Sequence, residues 1–174
     1  MRLFLAIRPP TSVIEFAVAT QELLSPTILR QGVRFSAPQK MHLTLGFLGD
    51  EMDVHKAKDT CASIFPAFGK LALEVGGLGG FPNMDRPKSI WMGVSGEGLE
   101  QLSEMIRQAF NLDESTFQGH LTIARVSPGS KAVGRALASF SQTYSSALKW
   151  GAADVELLAT APNGEYEVLS RYSL

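Results

Sequence analysis

Apolar and polar positions along the chain change period several times, and each change marks an element. Leu3 to Ile7 is a continuous apolar run of strand length, closed by Arg8-Pro9-Pro10. Val13, Ile14, Ala17 and Val18 follow the helical spacing, which predicts a helix over Ser12–Leu24, opened by Pro9-Pro10-Thr11 and ended by Ser25-Pro26. Val33–Phe35 reads as a short strand, and Met41–Leu48 as a longer one after the break at Pro38. Asp50 to Asp53 caps a helix predicted over Val54–Phe65 that stops near Pro66. Leu71, Leu73 and Val75 alternate as a strand, and Gly76-Gly77, Gly79-Gly80 and Pro82-Asn83 predict a loop after it. Then come a strand over Ser89–Val94, a helix over Leu99–Phe110 and a strand over Gly119–Val126. A helix is expected at about Lys131–Phe140, a strand within Lys149–Thr160, a turn at Pro162-Asn163-Gly164 and a last strand over Tyr166–Leu174.

The order strand, helix, strand, helix, strand occurs in each half of the chain. Val75–Asn83 (VGGLGGFPN) aligns with Val155–Asn163 (VELLATAPN), 80 residues on. The repeat implies two similar lobes related by a pseudo-two-fold axis, meeting at a central groove, and grooves between lobes commonly hold small ligands.

Two of the three histidines lie at equivalent places in that repeat. His42-Leu43-Thr44-Leu45 and His120-Leu121-Thr122-Ile123 are near-identical and start 78 residues apart. Residues two apart on a strand share a face. Each tetrapeptide therefore presents an imidazole beside a hydroxyl, with two apolar residues turned to the core. Two such pairs across a groove supply what in-line displacement at phosphorus needs: one group to remove a proton from the nucleophile, and one to protonate the leaving oxygen. Thr44 and Thr122 would donate hydrogen bonds to the non-bridging phosphate oxygens. Phe47 and Arg125 each follow a motif histidine by five residues. Five is odd, so a bulge or a strand end is needed to bring a ring and a guanidinium into the groove, where they would hold a base and a charge. Lys88 and Arg86, flanking Pro87, are expected to form a basic lip.

Composition narrows the partners. The chain has 174 residues, 45% of them hydrophobic, and a formal net charge of −1. That supports a real core and excludes a general nucleic-acid coat protein, which needs many Lys and Arg on the phosphate backbone. A substrate held by one terminal phosphate fits. Cys61, the single cysteine, excludes an internal disulfide and reads as a buried helix residue. His55 begins a polar helix, and neither it nor the two motifs has zinc-site spacing, so no metal and no cofactor are expected. The apolar start is too short for a signal peptide or a membrane span, so the expected location is the cytoplasm, without membrane contact.

At these residues the chain resembles the two-histidine phosphoesterases, and within them the RNA 2′,3′-cyclic phosphodiesterases, also called the ThpR/LigT or 2′-5′ RNA ligase family. The resemblance runs over Arg2-Leu3-Phe4-Leu5-Ala6-Ile7, His42 to Gly49, Phe81, Pro87 to Val94, His120 to Arg125 and Gly164 to Leu169. Gly119 stands where the family usually has Pro, and Thr160 where Ser is usual. The resemblance implies an α+β bilobal fold of two antiparallel sheets with outer helices, acting as one two-lobed domain over residues 1–174. It implies metal-free opening of a 2′,3′-cyclic phosphate, at an RNA 3′ end or on a nucleoside, to a 2′-phosphate. His42 would be the proton donor and His120 the acceptor, with a weak reversible 2′-5′ joining activity, in a monomer. The same motifs would serve another cyclic or 2′-5′-linked nucleotide, or an RNA-end binding protein without turnover.

Overall fold

The computed structural model describes residues 2–28, 32–113, 117–128 and 132–174. Among the described residues nine strands and four α-helices follow one another: β1 Leu3–Ile7, α1 Thr11–Ile28, β2 Val33–Phe35, β3 Leu43–Gly49, α2 Val54–Ile64, β4 Leu71–Phe81, β5 Ser89–Ser95, α3 Leu99–Phe110, β6 His120–Val126, α4 Ala132–Thr143, β7 Ala147–Ala152, β8 Asp154–Thr160 and β9 Tyr166–Ser173. Every strand pairing is antiparallel, in the order β7-β4-β5-β6-β3-β1-β8-β9. The two halves of that order are the two lobes, and they join at β3 and β6 through one residue pair, Leu43 opposite Leu121. Past that pair the strands diverge, and β2 fills the gap by pairing with the end of β6.

The repeat is visible in the topology. One unit runs β1-α1-β3-α2-β4 and the other β5-α3-β6-α4-β8. The third strands are exchanged: β4 pairs with β5 of the second unit, and β8 pairs with β1 of the first. The helices cover one face of the sheet, α3 packing on β3 and α2, and α1 on α4 and β6. Leu3, Leu5, Leu43, Ile90, Met92 and Leu121 are buried beneath them. The opposite face is left open over the centre of the sheet.

Three elements differ from the sequence expectation, the first being that two strands, β7 on β4 and β8 on β1, stand where one was expected within Lys149–Thr160. Helix α1 continues through Pro26 to Ile28 rather than ending at Ser25-Pro26. A proline in the last turn gives up one backbone donor, and the helix continues far enough to bury Ile28 completely. The glycine-rich segment after Val75 is strand, not loop, and β4 extends to Phe81. The register with β5 shifts between Gly76 and Leu78, where Gly77 takes a φ of +63° that a glycine tolerates. Gly79 lies directly under the Trp91 ring, which a Cβ there would strike. Gly79 thus makes room for a large neighbour and Gly77 for a bulge, neither of them for a turn. Helix α4 begins at Ala132, and the expected first residue, Lys131, lies outside the described residues. No helix among the described residues is long and apolar enough to cross a membrane.

Candidate active site

His42, Thr44, His120 and Thr122 line one cavity of about 570 Å³ on the open face, where the lobes meet. His42 immediately precedes β3, after a short 3-10 turn at Pro38–Lys40, and His120 opens β6. The alternation of half-buried Thr44 with buried Leu43 and Leu45, and of Thr122 with Leu121 and Ile123, follows the period of two.

Both imidazoles are anchored alike. His42 Nδ1 lies 2.8 Å from the carbonyl oxygen of Lys40, and His120 Nδ1 lies 2.7 Å from that of Gln118. A carbonyl only accepts, so each Nδ1 carries the proton and donates it. In the neutral ring this leaves Nε2 free as a base. Two aromatic rings border each histidine: Phe4 at 5.1 Å and Tyr166 at 5.0 Å from His42, Phe81 at 4.9 Å and Trp91 at 6.1 Å from His120. Burial among them lowers both pKa values below the ordinary histidine value, against the raising effect of the carbonyl bonds. The positive charges of Arg8 and Arg125, with His120, lower His42 further, and Arg125 lowers His120. The bare groove therefore favours neutral imidazoles, and an anion between them would favour protonation.

Phe47 and Arg125 both reach this cavity. The bulges that parity requires are present. Leu5 and Ala6 of β1 face Gly46 and Thr44, which leaves Leu45 without an opposite. Ile90 and Trp91 of β5 face Ala124 and Thr122, which leaves Ile123 without one. Each extra residue reverses the alternation, so the residue five after the histidine returns to the histidine's side. Phe47 is 61% exposed there, an unusual place for a large ring.

Lys88 and Arg86 do not join the cavity. Both are exposed and absent from its lining. The Lys88 amide donates to the Phe81 carbonyl, and its own carbonyl accepts from Val126. These bonds fix Lys88 at the sheet's end, beyond Arg125. The basic side of the groove is built instead by residues the sequence reading did not single out: Arg2, Arg34 and Lys40, with Arg125. Among the described residues the lining holds no carboxylate. Arg34 and Arg125 are direct cross-strand partners on β2 and β6. Like charges so placed repel, and neither has a carboxylate partner among the described residues. The polar position between Val33 and Phe35 was the signal for Arg34; its partner strand was not legible.

His55 is exposed on the first turn of α2, and Cys61 is buried in that helix with its thiol pushed up to about 12 by desolvation. Gly119 fits its place because its carbonyl accepts from Val94 while a Cβ would strike the Val94 carbonyl oxygen. Thr160 lines the groove.

Residues 7–91 match the family model described as LigT like Phosphoesterase. A protein of Archaeoglobus fulgidus named RNA 2′,3′-cyclic phosphodiesterase is 33% identical over 135 residues, 72% of this chain and 73% of the relative. One of Methanocaldococcus jannaschii with the same name is 33% identical over 133 residues, 72% of each chain. The fold matches that of TT0787 of Thermus thermophilus, with a TM-score of 0.78 at 24% identity over 100% of this chain and 98% of the other. It also matches E. coli LigT complexed with 3′-AMP, with a TM-score of 0.73 at 23% identity over 99% and 97% of the chains. The duplicated histidine strands, the lobed antiparallel sheet and these relatives agree: the chain belongs to the LigT-like, two-histidine phosphoesterase family.

Proposed function

We propose that this chain is an RNA 2′,3′-cyclic phosphodiesterase whose product is the 2′-phosphate, and that it acts as one two-lobed, monomeric domain without a metal or cofactor. The observation that carries the reading is the matched pair of imidazoles, each fixed through Nδ1 to the carbonyl two residues before it, on one basic groove. The names of the relatives supply the substrate class.

The cyclic phosphate lies between the histidines. Nε2 of neutral His120 takes a proton from water, and the oxygen attacks phosphorus opposite O3′. The P–O3′ bond breaks as protonated His42 delivers its Nε2 proton to O3′. Thr44 and Thr122 donate to the non-bridging oxygens, where charge concentrates. Arg125 and Arg34 hold the anion and the strand that carries it, and the exposed Phe47 ring offers a face to a base. If a 5′-hydroxyl replaces water, the same transfer makes a 2′-5′ linkage, and its reversal breaks one.

The test is an RNA ending in 2′,3′-cyclic phosphate, incubated with the protein in EDTA, with the position of the product phosphate identified. A 2′-phosphate is expected. A 3′-phosphate product would reverse the assigned leaving group, and loss of activity in EDTA restored by a divalent metal would overturn the metal-free mechanism.

A further inference from the structure

A second cavity, about 480 Å³, adjoins the groove and shares Thr44, Phe47 and His120 with it. Of the two histidines only His120 borders it. Its walls are of mixed chemistry. Phe47, Phe81 and Phe117 are broad apolar surfaces, while Arg107, Asn111 and Gln118 bring hydrogen-bonding groups. Arg107 ties one nitrogen to Glu104 at 3.1 Å, yet its Nε is buried with no partner among the described residues. Buried guanidinium donors are normally satisfied. Apolar walls with a few fixed polar groups suit a flat heterocycle attached to a polar sugar.

Position gives this cavity its meaning. In-line displacement places the nucleophile opposite the leaving oxygen. With His42 serving O3′, the ribose and RNA of the cyclic phosphate occupy the basic groove, and the nucleophile enters from the side of His120. Water needs no cavity of this size there; a nucleoside bearing a 5′-hydroxyl does. We propose that the cavity lined by Arg107, Phe117 and Gln118 is the acceptor subsite, which seats the 5′-terminal nucleoside of a second RNA strand with its 5′-hydroxyl at His120. In the step it serves, the P–O5′ bond forms and the P–O3′ bond breaks. The 5′-hydroxyl proton passes to His120 and the His42 proton to O3′. In reverse, the same cavity holds the nucleoside that leaves when a 2′-5′ linkage is cut. This inference rests on the proposed acid and base roles.

The experiment supplies RNA ending in 2′,3′-cyclic phosphate with the dinucleotide ApA as acceptor, and quantifies 2′-phosphate and 2′-5′-joined product together. The 5′-phosphorylated pApA, which lacks the nucleophile, is the control. Wild-type protein should form joined product that saturates with ApA and is absent with pApA. Arg107→Met and Phe117→Ala should each raise the half-saturating ApA concentration about tenfold or more, the scale of one charge-assisted hydrogen bond or one base stack. Their hydrolysis without ApA should stay within about threefold of wild type, on the same measure of effect, which also reports that both variants fold. An unchanged ApA dependence in both variants overturns the subsite, as does parallel loss of hydrolysis and joining, or wild-type hydrolysis that yields no joined product. Wild-type protein that does not hydrolyse the cyclic end at all overturns the proposed function itself, and the subsite falls with it.

Discussion

The Ser103 hydroxyl of α3 donates to the carbonyl of Leu45, the extra residue of the β3 bulge, at 3.1 Å. The other lobe repeats the device. Gln21 Nε2, from α1, donates at 2.8 Å to the carbonyl of Ile123, the extra residue of the β6 bulge. A bulge frees backbone groups from the ladder, and buried ones need another partner. Here the partner comes from a helix of the opposite repeat, packed on the strand it serves, so each repeat braces the other's bulge.

Ser103→Ala leaves a buried carbonyl unsatisfied and should cost about 1–3 kcal/mol of stability. Because the bulge sets where Phe47 points, the variant should also raise KM while kcat changes less. Urea denaturation and steady-state kinetics on the same preparation check both. Ser103→Thr, which keeps the hydroxyl, should recover part of each.

Replacing His42 or His120 by Ala should each lower the rate by about 10²–10⁴, the usual scale of general acid–base catalysis. The double variant should be little worse than either single one, since both act in one transition state. Thr44→Val should cost less, about tenfold to a few hundredfold. Single-turnover assays on a cyclic-phosphate RNA decide this; a wild-type rate in either folded histidine variant refutes the assigned chemistry.

Arg34 and Arg125 make opposed demands on stability and binding. Arg34→Gln removes a like-charge cross-strand contact and should stabilise the free protein by about 0.2–1 kcal/mol. It should also weaken substrate binding and flatten its salt dependence, since one phosphate contact is lost. A melting series with and without substrate analogue, read beside KM at two salt concentrations, separates the two effects.

The lowered histidine values fix the sign of two pH effects. In the free enzyme the alkaline limb of kcat/KM should lie below the ordinary histidine value of about 6.5. In the complex the bound anion favours imidazolium, so the limb of kcat should lie higher. For stability, the unfolded chain binds more protons below about pH 6.5 than the native chain does. The histidine contribution is thus fully present above that pH and is lost as pH falls through the native values. The His42→Asn/His120→Asn protein should show a flatter dependence of urea midpoint on pH between about 7.5 and 5.

Cys61 should resist alkylation in the native protein at pH 8, because it is buried and its thiol is pushed up to about 12. Labelling should appear only with unfolding, and mass spectrometry across a urea series would follow it.

The two histidine strands were legible because their pattern is a local period: His and Thr two apart, repeated with the same apolar neighbours. Helix α3 was legible over its full length for the same reason. Parity alone also stated the condition for Phe47 and Arg125, a bulge, but the bulges depend on braces from Ser103 and Gln21, 58 and 102 residues away in sequence. The glycine run of β4 misled because glycine signals a turn locally, whereas here it yields space to Trp91 across the ladder. Lys88 does not line the groove and Arg34, which the sequence did not single out, does, for one reason: which cations meet there is decided by strand pairing, and the β2–β6 pairing joins distant parts of the chain.

The exchange of β4 and β8 between the lobes has a consequence for how the groove can exist at all. Neither repeat contains a complete half-sheet. Cut between β4 and β5, the first fragment would keep β1 with one bare edge and would carry a strand with no lobe of its own to join. Two copies of a single repeat could close those edges only by trading third strands, and their shared seam would then hold two histidines. The present chain has the topology of such a pair joined covalently, and the groove with both histidines lies at its seam.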